Sequence, residues 1–140
     1  MSHQASGYEH RRSATERKTA CFLDELGDAP AGTIRISSST IDAHGWMGQK
    51  TPWFIRRRLY KGPLLIRARR LDEVGSVRFA KISGQHLGEL RFSASESNGI
   101  QGSYRFLASA SMFRAPGCYG FQIDGTSFSN VVVMRVVDGA

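Results

Sequence analysis

Hydrophobic and polar residues alternate most clearly in the last third of the chain. Between residues 113 and 137, Tyr119, Phe121 and Ile123 alternate with Gly120 and Gln122, the period of a half-buried strand. Asp124-Gly125 signals a tight primed hairpin turn, where glycine adopts φ > 0 without steric cost. Phe128 and the β-branched run over residues 131–137 predict the returning strand. Upstream, Thr33-Ile34-Arg35-Ile36-Ser37 has period two. After Gly62-Pro63, Leu64, Ile66 and Ala68 point one way while Leu65, Arg67 and Arg69 point the other. Val77 and Phe79, then Leu90 and Phe92, then Tyr104, Phe106 and Ala108 mark further strands, separated by Gly- and Ser-rich turns. Residues 93–102 read as a polar loop.

The N-terminal residues follow a different grammar. Residues 1–12 are polar and charged and read as an arm. Ser13 with Glu16 forms a capping box, Phe22, Leu23 and Leu26 fall near helical spacing, and Gly27 supplies a stop, which predicts a short helix. The expected division is an arm and short helix over residues 1–32 and a β domain over 33–140. About seven strands spaced by turns, with no long helix between them, predict a mainly β, antiparallel sandwich, with a barrel as the alternative.

Composition narrows the function classes. The 140 residues, 41% hydrophobic, are enough for one core without staples. No apolar run reaches the length needed to span a bilayer. Residues 1–12 contain no apolar h-region, so the chain as given reads as cytoplasmic, without a signal peptide. Cys21 and Cys118 form no redox or zinc motif, and because Cys21 falls on the expected helix outside the sandwich, both are expected to be free thiols. His3, His10, His44 and His86 are too scattered for a metal cluster, so no metal or cofactor is expected.

The net charge is +7, with 15 Arg against 4 Lys. Arg56, Arg57, Arg58, Lys61, Arg67, Arg69 and Arg70 cluster closely, and Trp53 and Tyr60 lie among them. One reading is a nucleic-acid patch in which guanidiniums neutralise phosphates and the two aromatics stack on bases. The other, which we favour, is a solvated face whose arginines pair with Asp72, Glu73 or Glu89, since no nucleic-acid motif accompanies the cluster.

Cys118, entering a strand beside Tyr119, reads as a small buried hydrophobe rather than a nucleophile served by His44 or His86. A Ser-His-Asp set built on His86 and Asp124 lacks a nucleophile elbow. Phe106, Phe113, Tyr119, Phe121 and Phe128 read as core. Trp46 and Trp53 lie in a Gly/Pro-rich region, where they are either core or the lining of a carbohydrate or peptide groove. No catalytic residue is assigned.

Two segments together carry a resemblance: Gly62-Pro-Leu-Leu-Ile-Arg-Ala-Arg-Arg-Leu-Asp72, and the stretch around Pro116-Gly117-Cys118-Tyr119 with its closing hairpin. They resemble uncharacterised bacterial domains of immunoglobulin-like type, over about residues 53–137. The resemblance implies a β-sandwich, frequently in exported or lipid-anchored proteins, with no established catalytic mechanism. This chain has no lipobox cysteine at its start. The expected function is therefore a non-catalytic binding module for a protein or envelope component, with nucleic-acid binding as the alternative.

Overall fold

A computed structural model describes residues 32–139. The expected arm and helix lie outside the described residues. The described part is mainly β, with eleven strands and one 3-10 turn at Ser38–Thr40. In chain order the strands are β1 Gly32–Ile36, β2 Met47–Lys50, β3 Trp53–Arg56, β4 Leu64–Arg70, β5 Arg78–Ala80, β6 Leu90–Phe92, β7 Gly99–Gln101, β8 Tyr104–Leu107, β9 Ala110–Phe113, β10 Gly117–Asp124 and β11 Ser129–Asp138.

They form three sheets: a five-stranded sheet ordered β1-β11-β10-β4-β6, and two three-stranded sheets ordered β2-β9-β5 and β3-β8-β7. All pairings are antiparallel except β1 with β11, which run parallel. Strand β2 leads into β3 across Thr51 and Pro52, as β8 leads into β9 across Ala108 and Ser109, and Thr51 N–H donates to Ser109 O at 2.9 Å between the two breaks. This is one reason for the count above seven: proline has no N–H for the ladder and interrupts the strand.

One apolar core is shared by all three sheets. Ile66, Leu90, Tyr119, Phe121, Ile123 and Val136 from the five-stranded sheet meet Phe79, Leu107 and Phe113 from the others. The expected alternation in β10 and β4 is present: Tyr119, Phe121 and Ile123 are buried, as are Leu64 and Ile66, whereas Arg67 and Arg69 are exposed. Strands β4 and β10 are neighbours, with Phe121 beside Ala68 and Ile123 beside Ile66. Their apolar residues therefore lie side by side on one face rather than opposing each other across the core.

The 124–129 hairpin closes differently from the two-residue turn expected. Gly125 N–H donates to Phe128 O at 2.9 Å, closing a four-residue loop, and Gly125 has no positive φ. Gly125 instead provides space, because a Cβ there would lie 2.2 Å from the Phe128 ring.

Two further expectations are corrected. Phe106 is not in the core cluster; it pairs across the ladder with the exposed Phe54 at 5.3 Å, while Leu107 is fully buried. Arg105 occupies the inverted face: its guanidinium lies 4.2 Å from the buried Tyr60 ring and donates to Ala94 O at 2.7 Å, while its Nε is buried with no hydrogen-bond partner among the described residues. Cys118, expected as a free thiol, is disulfide-bonded. It is buried on the face of β10 opposite Tyr119, and the sequence offers one other cysteine, Cys21, which lies outside the described residues.

Candidate binding groove around Trp53

Strand β3 is an edge strand among the described residues, and its side chains split by the period of the pleat. Trp53 and Ile55 pack against the core, whereas Phe54 is exposed. The Trp53 ring lies 5.7 Å from the Phe121 ring, and its Nε1–H donates to Ser109 Oγ at 2.9 Å. Ser109 Oγ donates in turn to Thr51 O at 2.8 Å, and Thr51 and Ser111 share a hydroxyl hydrogen bond at 2.7 Å. This buried network fixes the indole, as a buried indole N–H requires a partner.

Trp53 separates two hollows that also share Val132. The first, about 260 Å³, is lined by Arg56, Arg58, Leu59, Tyr104, Phe128 and Asn130 among others. The second, about 350 Å³, includes Ile34, Arg35, Lys50, Pro52, Phe121 and Met134 in its wall. The lining is mostly apolar, with Arg56 and Arg58 in the wall of the first hollow and Arg35 and Lys50 in that of the second. Neither hollow is lined by a His, Cys, Asp or Glu side chain. The groove can therefore bind and orient, but offers no titratable pair for proton transfer.

The residues of the basic cluster do not share one surface. Arg56, beside Tyr104 in the ladder, holds its guanidinium 5.2 Å from that ring. Arg57 and Arg58 are exposed in the turn where Leu59 N–H and Tyr60 N–H return to Arg56 O. Lys61 is exposed just beyond it. Tyr60 is 5% exposed and its hydroxyl donates to Ser93 O at 2.7 Å, so it is a core residue and not a stacking platform. Burial pushes its phenol above the usual tyrosine value.

Arg67 and Arg69 project from the outer face of the five-stranded sheet, away from β3. Arg67 pairs with Asp124 at 3.1 Å, and Arg70 with Asp72 at 2.7 Å and Glu73 at 3.0 Å, while Glu89 is taken by Arg91. The paired, solvated reading thus describes Arg67 and Arg70. Among the described residues no carboxylate lies within ion-pair reach of Arg56, Arg57, Arg58, Lys61 or Arg69. Leu59, Tyr104 and Asn130 complete the groove and carried no sequence signal, because they reach it from a turn and two separate strands.

Asp124 and Asp72 report on the scaffold around the groove. Burial pushes the Asp124 carboxyl up, but hydrogen bonds from Ser129, Gln122 and Arg67, with the charge of Arg67, together hold it below the ordinary value. Burial likewise opposes the Arg70 hydrogen bond and a Cys118 backbone bond at Asp72, where the net direction is also down. A depressed carboxyl stabilises the fold at every pH above its unfolded value, and that stability is lost as pH falls through the folded value. Urea unfolding should therefore show a lower midpoint at pH about 3 than at pH about 7, with Asp124→Asn flattening the difference. An unchanged slope in that variant would mean that Asp124 does not contribute.

Among the described residues no group of three His, Cys, Asp or Glu side chains is placed to hold a metal, and no helix is long and apolar enough to cross a membrane. With its thiol in a disulfide, Cys118 is not available as a nucleophile. No protein-family model matches the chain, and no curated protein matches it in sequence.

Proposed function

We propose that this chain is a non-catalytic binding module of β-sandwich type, akin to the immunoglobulin-like bacterial domains it resembles, and that it holds an extended segment of an envelope protein along the Trp53 groove. One observation carries this reading: an immobilised tryptophan stands in an apolar groove whose two ends carry Arg56 and Arg58, and Arg35 and Lys50. Among the described residues the β3 edge offers unpaired backbone groups beside that groove, which suits addition of a strand. Apolar side chains of the partner would enter the hollows, and flanking acidic side chains would meet the cations. The Cys118 disulfide supports an oxidising compartment, where such bonds persist.

The second reading is nucleic-acid binding through Arg56, Arg57 and Arg58, whose guanidiniums have no carboxylate partner among the described residues. One variant separates the two. Under the peptide reading, selection from a displayed peptide library enriches apolar segments flanked by Asp or Glu, and the Arg56→Gln/Arg57→Gln/Arg58→Gln variant binds them more weakly. DNA and RNA then bind no tighter than the non-specific range, about micromolar at physiological salt. Nanomolar binding of any nucleic acid sequence, with a salt slope that flattens by about 2–3 units in the triple variant, would replace the first reading by the second.

A further inference from the structure

The second tryptophan lies far from the groove's chemistry and has its own set of partners. Residues 42–46 fold into a closed loop. Asp42 Oδ1 accepts from His44 N–H at 2.8 Å and Trp46 N–H at 3.0 Å, Asp42 N–H donates to Trp46 O at 2.9 Å, and Gly45 turns the chain at φ 86°. The loop lays Trp46 over Ala80 and Met112, forming a small cluster apart from the main core. Two cations converge on the indole: the Arg114 guanidinium lies 4.4 Å and that of Arg78 5.5 Å from the ring centroid. Strand register brings them there, since Arg78 on β5 pairs with Met112 on β9 and Arg114 follows the end of β9.

One imidazole flanks the same ring, and a second stands behind it. His86, brought in by the Phe79–Leu87 bridge, lies 6.3 Å from Trp46 and 6.4 Å from His44, and its Nε2 is 3.2 Å from Asp42 Oδ2. Asp42 is the acidic group of this cluster, and both of its oxygens are engaged by the loop N–H groups and His86. Among the described residues neither Arg78 nor Arg114 has a carboxylate within ion-pair reach. Arg114 lies over the indole at an exposed position, and Arg78, which donates one N–H to Val77 O at 3.4 Å, keeps further N–H groups; such donors suit tetrahedral oxyanions.

We propose that Trp46, Arg78 and Arg114, with His44 and His86 at the margin, form a second binding site that takes a tetrahedral oxyanion, a phosphate or sulfate group. The site is independent of the Trp53 groove. The indole positions both guanidiniums and restricts their motion, so less side-chain entropy is lost when the anion arrives. The charged and titratable groups facing the site are Asp42 and His44 from the loop before β2, Arg78 from β5, His86 from the loop after β5, and Arg114 after β9.

The test reads the two indole N–H signals by NMR while inorganic sulfate, inorganic phosphate or chloride is added, with Trp53→Phe used to assign them. Sulfate and phosphate, but not chloride, should shift the Trp46 signal saturably and leave that of Trp53 in place. Arg114→Gln, at an exposed position, should weaken binding about tenfold or more through loss of a charge-assisted contact. Equal shifts with chloride, a response that never saturates, or an unchanged affinity in Arg114→Gln would each show an adventitious ion only and overturn the site.

Discussion

Truncating Phe121 to alanine is expected to lower the free energy of unfolding by about 3–5 kcal/mol. Phe121 is 1% exposed at the centre of β10, and its ring meets Trp53 at 5.7 Å, Phe79 at 6.3 Å and Phe113 at 6.3 Å. These three rings come from β3, β5 and β9, so one side chain ties the five-stranded sheet to both smaller ones. Its removal opens a cavity that no single strand can close by relaxing, which places the cost toward the upper part of the range. Urea unfolding followed by tryptophan fluorescence measures it. A loss below about 1 kcal/mol would mean that the three sheets do not share this contact, since surface changes stay near ±0.5 kcal/mol.

Reduction of the Cys118 disulfide, or Cys118→Ala, should cost about 2–4 kcal/mol, the usual effect of releasing a cross-link from the unfolded chain. Unfolding curves recorded with and without reductant give the difference directly. Coincident curves, or two titratable thiols in the denatured, non-reduced protein, would remove the disulfide from the stability of this fold.

Much of the β architecture is legible in the sequence wherever a strand is buried on one face. β4 and β10 announce themselves because alternate residues meet core and solvent. β7 does not: Gly99, Ile100 and Gln101 are all exposed, so their pattern carries no period. β8 is read with the wrong face because Arg105 turns inward onto Tyr60, with one terminal nitrogen on loop carbonyls, and the apolar Phe106 turns outward. The parallel pairing of β1 with β11 joins residues about a hundred positions apart and leaves no local trace.

The candidate sites divide in the same way. Trp53, Arg56 and Arg58 stand close in sequence and close in space. Tyr60 and Arg67, equally close in sequence, are drawn off to the core and to Asp124. The Trp46 cluster was invisible because Asp42, Arg78, His86 and Arg114 meet only through strand register. Cys118 was misread as a free thiol because a disulfide leaves no sequence period.

The hydroxyls beneath Trp53 have a further consequence. Thr51, Ser109 and Ser111 are buried and bonded to one another where β2 passes into β3 and β8 into β9. An apolar trio of similar volume would fill the same space at little cost in free energy. It would not, however, distinguish one alignment of the two long arms from its neighbours. Sliding either arm by one residue turns the hydroxyls away from their partners, at about 1–3 kcal/mol for each group left unsatisfied. The three polar side chains thus act as a vernier: they add little to the depth of the native well, and they set the alignment at which two bent ribbons come to rest.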